Sequence, residues 1–174
     1  AATPTFRSVY VAFDPHPSSK GASTHIDQMC RVLSESIGPT LLLTLPVTSE
    51  PISSSSVTHI TFQSDETNLL RKAGAFSAWV NDILSSQYDL VLGHFRDIWG
   101  GMAVISHEHI CPVFEVNAFA SVELPYRYPI LSETTLSKIR RMEDTCLQKA
   151  NHVITPSHTN CRYIQSRGIA RENI

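Results

Sequence analysis

Short runs of apolar, β-branched and aromatic residues alternate along this chain with segments whose apolar positions recur every three to four residues. Both patterns are satisfied together by helices packed on a sheet of parallel strands. Ser8 to Phe13, Thr40 to Leu45, Val57 to Phe62, Leu90 to Phe95, Pro112 to Val116 and His152 to Thr155 read as six strands. Helices are predicted over Ser23 to Gly38, Leu69 to Leu84, Ile98 to His109, from Ser132 to about Ala150, and from Ser157 to Arg167. Ile26, Met29, Cys30, Leu33 and Ile37 mark one face of the first helix, with Ser23 as its N-cap. Leu41-Leu42-Leu43 and Leu90-Val91-Leu92 are apolar without alternation, which burial on both faces of a sheet demands. The expected class is therefore α/β, an open, doubly wound parallel sheet in three layers. Phe119 to Leu131, broken by Pro125 and Pro129, fits neither period and is expected to be an irregular loop.

Composition narrows the function. A chain of 174 residues, 42% of them hydrophobic, supports one domain with a full core and excludes intrinsic disorder. With 14 Lys+Arg against 16 Asp+Glu it has no cationic surplus, so no nucleic acid is expected as a partner. Cys30, Cys111, Cys146 and Cys161 are far apart and form no CxxC; they read as small buried hydrophobes in a reducing cytoplasm. No apolar run reaches the roughly 18–20 residues of a membrane span, which leaves membrane contact at most peripheral. The start at Ala1-Ala2-Thr3, without Met, suggests a processed terminus.

In a doubly wound sheet ligands sit beyond the carboxyl ends of the strands, so the residues just after each strand are the candidates. Gly21 and Ala22 would lead into the first helix, where small residues and unpaired N–H groups admit a phosphate; an ordinary turn glycine is the alternative. His25 follows in the first turn. His94 ends the fourth strand, followed by Arg96 and Asp97, and reads either as a site residue or as a satisfied core histidine. Glu115 and Asn117 share a face of the fifth strand, and a carboxylate there needs a cation such as Arg96 or Arg127. Glu123, close to Tyr126, Arg127 and Tyr128, suits a polyhydroxylated molecule, although a plain salt bridge explains it equally well. His107 and His109 lack the i,i+4 spacing of a metal pair, so no metal is expected. Lys138, Arg140 and Arg141 among Glu133, Glu143 and Asp144 read as a solvated face.

Gly21-Ala-Ser-Thr-His25, Tyr88-Asp-Leu-Val-Leu-Gly-His94, Pro112-Val-Phe-Glu-Val-Asn117 and Gln148-Lys-Ala-Asn-His-Val-Ile-Thr-Pro-Ser157, in that order, resemble the N-terminal domain of family 4 glycosyltransferases. The resemblance implies one Rossmann-like domain of a GT-B pair. It implies transfer of a sugar from a nucleotide-sugar to a hydroxyl acceptor, itself a sugar, a glycan or a lipid-linked molecule, with retention and without metal or cofactor. Residues 1–174 would be the acceptor-side domain, and the donor-binding C-terminal domain, a partner across the cleft, would follow Ile174; alone, the piece would be inactive. Carried over, His94 and Asn117 are catalytic, Gly21, Ala22, His25 and Ser157 face the donor, and Arg96, Glu115, Glu123 and Arg127 face the acceptor. Asn117 stands where many members have a histidine; an amide orients a hydroxyl but carries no proton. The alternative is a non-catalytic α/β domain that binds a small ligand or regulates.

Overall fold

The computed structural model describes residues 5–18, 21–47, 54 and 56–174; the start at Ala1, Lys20 and much of the Pro46 to Ser56 loop lie outside them. Six parallel strands, β1 (Ser8–Pro15), β2 (Thr40–Leu45), β3 (Val57–Thr61), β4 (Leu92–Phe95), β5 (Cys111–Glu115) and β6 (His152–Ile154), make one sheet in the order β3-β2-β1-β4-β5-β6. The direction of winding reverses between β1 and β4. A crevice opens at that reversal, beyond the carboxyl ends.

Alternation along β1 divides the core in two. Val9 and Val11, with Leu41 and Leu43 of β2, pack with Phe76 and Val80 of α2 (Leu69–Ser85) and with Ala103 and Val104 of α3 (Ile98–Ile105). On the opposite face Tyr10, Ala12 and Leu42 meet Ile26, Cys30 and Leu33 of α1 (Gly21–Ser36). Helices on both faces give the Rossmann-like, three-layer arrangement the periodicity predicts. The apolar run of β2 is buried throughout, whereas Val91 is 38% exposed and β4 begins only at Leu92. Two glycines bring α3 down onto the sheet: a Cβ at Gly100 would lie 2.6 Å from Val11 Cγ1, and one at Gly101 2.6 Å from Phe95 Cε2. That approach sets the amino end of α3, capped by Asp97, beside the carboxyl ends of β1 and β4.

Four expectations are corrected. Ser23 is not an N-cap but the third residue of α1, and Gly21 and Ala22 belong to its first turn rather than to a loop. Phe119 to Leu131 is not irregular throughout; it contains α4 (Ala120–Arg127), with Pro125 inside it. No side chain of Phe119 caps that helix; its amino end is satisfied by Glu143 of α5 (Glu133–Lys149), which accepts from Ser121 N at 2.9 Å and Ser121 Oγ at 2.6 Å. Glu143 is accordingly 1% exposed and paired with Arg167, not part of a solvated face. Ser132 caps α5 through Thr135 N, and Ser157 caps α6 (His158–Ser166) through Asn160 N. All four cysteines are free; Cys30 and Cys146 are buried.

Candidate functional site

Glu115 ends β5 with its side chain on the α1 face and is almost fully buried. A carboxylate in that position is tolerated only if its charge and lone pairs are answered. Oε1 lies 2.8 Å from His25 Nε2 and 2.9 Å from His94 Nε2, and receives a longer bond of 3.4 Å from the Tyr10 hydroxyl. Oε2 accepts from Asn117 Nδ2 at 2.8 Å and stands 3.3 Å from Arg96 Nη1. Burial alone would raise this carboxyl; hydrogen bonds from His94, Asn117 and His25 override it and hold Glu115 at about 2. The carboxylate is therefore ionised and fully engaged, which suits it to orienting its neighbours.

The fold supplies each partner. Register pairs Tyr10 with His94 across β1 and β4, and their rings stack at 4.7 Å. Burial and the Glu115 charge push the Tyr10 hydroxyl well above its ordinary range, so it remains a donor. His94 is 2% exposed and sits beneath Glu115; His25, one turn into α1, is 46% exposed and faces outward. Arg96, just past β4, is 10% exposed, with Nε 3.7 Å from Asp14 Oδ2. Neither of its ion pairs is aligned as a hydrogen bond, and Nε and Nη1 have no acceptor among the described residues. Both atoms are closed off from solvent and face the carboxylates of Asp14 and Glu115, while the residue as a whole borders an open cleft.

That cleft, about 430 Å³, runs along the carboxyl ends of β1, β4 and β5; Arg96, Asn117, Glu123 and Arg127 line it together with Lys72 and Trp99. A smaller recess of about 230 Å³ lies on the other side of Asn117, bounded by His25, Glu115, Thr155 and Pro156. Asn117 borders both, and its backbone carbonyl accepts from Asn160 Nδ2 at 3.2 Å, which ties the first turn of α6 to the site. Nδ2 gives one of its two hydrogens to Glu115, which leaves the second hydrogen and Oδ1 for a ligand hydroxyl. The cleft's cations, Lys72, Arg96 and Arg127, are matched by Asp14, Asp97 and Glu123. Burial raises Asp97 to about 6 although its carboxylate accepts from Gly100 N at 2.9 Å and Phe13 N at 2.7 Å.

Of the residues singled out in the sequence, His25, His94, Arg96, Glu115 and Asn117 form one connected cluster, and Glu123 and Arg127 stand across the cleft on α4. Arg96, not Arg127, is the cation beside Glu115. Gly21 and Ala22 lie one turn before His25, and the Ser157 hydroxyl is engaged as a helix cap. Asp14 stands where the strand-end rule puts a candidate, whereas Tyr10 and Lys72 were not foreseen. Nor was the chain that pins the β1–α1 connection: Ser23 Oγ bonds His16 Nδ1 at 2.8 Å and accepts from Ser18 N at 2.9 Å, while His16 Nε2 lies 2.9 Å from Asp27 Oδ1. A further cleft of about 450 Å³, beside His107, His109 and Lys149, lies at the opposite end of the strands.

No family model matches the chain, and no curated protein is similar to it in sequence. Among solved structures it is similar to sucrose-phosphate synthase from Thermosynechococcus elongatus, with a TM-score of 0.68 at 15% identity over 92% of this chain. The likeness is one of fold. The chain spans 45% of that protein's length. No described helix is long and apolar enough to cross a membrane.

Proposed function

We propose that this chain is the acceptor-holding domain of a GT-B, retaining glycosyltransferase of the family 4 type, acting on a nucleotide-sugar in concert with a second, donor-binding domain. The observation that carries the reading is the cluster around Glu115, set at the carboxyl-edge crevice of a Rossmann-like sheet whose fold is shared with a synthase that makes a sugar phosphate ester by name. The long cleft would hold the acceptor. Its balanced charges suit a neutral, polyhydroxylated molecule better than a phosphate. Asn117, between the cleft and the recess beside His25, would orient the attacking hydroxyl, and the recess would admit the donor sugar.

Glycosyl transfer from a nucleotide-sugar breaks the bond between the anomeric carbon and the diphosphate and forms one to the acceptor oxygen. This chain would contribute positioning and exclusion of water. His94 touches Glu115 rather than the cleft, so its role would be to hold that carboxylate, which in turn holds Asn117, His25 and Arg96. Gly21 and Ala22, at the exposed first turn of α1, would face the donor's diphosphate.

The test is a transfer assay on the full-length protein with UDP-, ADP- and GDP-sugars and hydroxylated acceptors, following nucleoside diphosphate release and the anomeric configuration of the product. Product with retained configuration, and a lower kcat/KM in Asn117→Ala, are expected. Release from none of the donors would refute the proposal; ligand binding at the cleft without transfer would favour a binding module.

A further inference from the structure

A second groove adjoins the acceptor cleft at α4. Leu69 and Leu124 line the cleft on one side and on the other form the wall of this groove of about 260 Å³, bounded also by Leu70, Tyr128, Ile130 and Leu131. The chemistry changes across that shared wall: charged and amide groups line the cleft, while the groove is mostly apolar. Ile130 is 94% exposed and Tyr128 43% exposed, so the groove's outer rim is open to solvent at a place where Ile130 gains almost nothing from the fold. By itself the groove falls below the roughly 300–1,000 Å³ of a ligand site, and joined to the cleft it lies within that range.

Resting on the acceptor reading above, we infer that the acceptor is amphiphilic. A hydroxylated head would lie against Arg96, Asn117 and Arg127, and an apolar tail would pass between Leu69 and Leu124 into the groove under Ile130. Adjacency to the cleft, across the side chains of Leu69 and Leu124, is what selects this occupant. A tail anchored elsewhere would leave Leu69 and Leu124 facing a polar head on one side and an open groove on the other. Burying the tail lowers the cost of holding a neutral head that has few charged groups of its own, and it selects acceptors by the length of the tail as well as by the hydroxyls of the head.

The test is calorimetric titration of the full-length protein with n-alkyl β-D-glucosides from methyl to octyl, each below its micelle concentration. Affinity is expected to rise ~3–4-fold per methylene over the first several carbons, with a negative heat-capacity change. Ile130→Asp, at a side chain that makes no contribution to the core, should flatten that dependence while leaving methyl glucoside unchanged. Arg127→Ala should weaken every member of the series by a common factor. Equal affinity for methyl and octyl glucosides would overturn the inference and leave the acceptor reading standing; no binding at any length would overturn both. Octanol binding as tightly as octyl glucoside, or a chain-length dependence untouched by Ile130→Asp and Tyr128→Ser, would place the tail elsewhere and refute the proposal. So would sedimentation showing that Ile130→Asp abolishes self-association without affecting octyl glucoside, which would make a second copy the groove's occupant.

Discussion

Replacing Glu115 with Gln keeps the shape of the side chain and removes its charge. Whichever way the new amide turns, its NH2 confronts donors: Tyr10, His25 and His94 on one side, Asn117 and Arg96 on the other. Arg96 would also keep only Asp14, 3.7 Å from Nε, as a counter-charge. Removing one partner of a buried pair costs about 3–5 kcal/mol. A carboxyl lowered from 4.5 to about 2 stabilises the folded chain above its unfolded value, and that contribution is lost as pH falls through the folded value. A drop of that size corresponds to about 3 kcal/mol at neutral pH, of which about half is gone by pH 3. Side-chain exposure of 3% leaves little room for solvent screening. Urea unfolding of both proteins followed by circular dichroism should therefore show Glu115→Gln less stable by about 3 kcal/mol at pH 7, with the gap narrowed to about half at pH 3. A difference below about 0.5 kcal/mol at pH 7, or a gap that does not change with pH, would show that the cluster does not hold an ionised carboxylate.

Other outcomes follow from single contacts. Glu143→Ala leaves Arg167 paired with Asp144 alone and the first turn of α4 without acceptors, so a loss of about 1–3 kcal/mol in denaturant and faster amide exchange at Ser121 are expected. Gly101→Ala drives a methyl to 2.6 Å from Phe95 Cε2 and 2.8 Å from Cys146 Sγ and should cost about 1–3 kcal/mol. Gly74→Ala, in the same experiment, meets nothing within 4 Å inside α2 and should stabilise by about 0.5–1 kcal/mol. His59, lowered to about 4 by burial and the nearby His16, destabilises the fold as pH falls from 6.5 towards 4; Asp97, raised to about 6, does the reverse between about 6 and 3.8. With that pair nearly cancelling, thermal melts should show only the modest fall from pH 6 to 4 that Glu115 causes, and His59→Gln should turn it into a rise in Tm on acidification; an unchanged profile would contradict the opposed pair.

The sheet and most helices were legible because their patterns are local. Val9 to Val11, Leu41 to Leu43 and the face of Ile26, Cys30 and Leu33 each declare a period within a few residues. Glu115 was legible for a different reason: a carboxylate at the end of a buried strand is too costly to stand without partners. Which partners it has was not, since His25 and His94 are 90 and 21 residues away in sequence and meet only through the order of the strands. Tyr10 looks like any core aromatic until register sets it on His94. The helix at Ala120 was missed because its cap comes from Glu143, 22 residues along the chain, and Pro125 argued against it locally. Ser23 has the local look of a cap, but its hydroxyl is spent on His16.

The central claim is that ligand enters at the carboxyl edge of the sheet, over Glu115. The most direct measurement is an amide NMR titration of the chain with a polyhydroxylated acceptor such as an alkyl glucoside. The expected perturbations fall at Asp14, Arg96, Asn117, Ala118 and Glu123, which border the cleft. Perturbations confined to His107, Glu108, His109 and Lys149, at the opposite end of the strands, would contradict it.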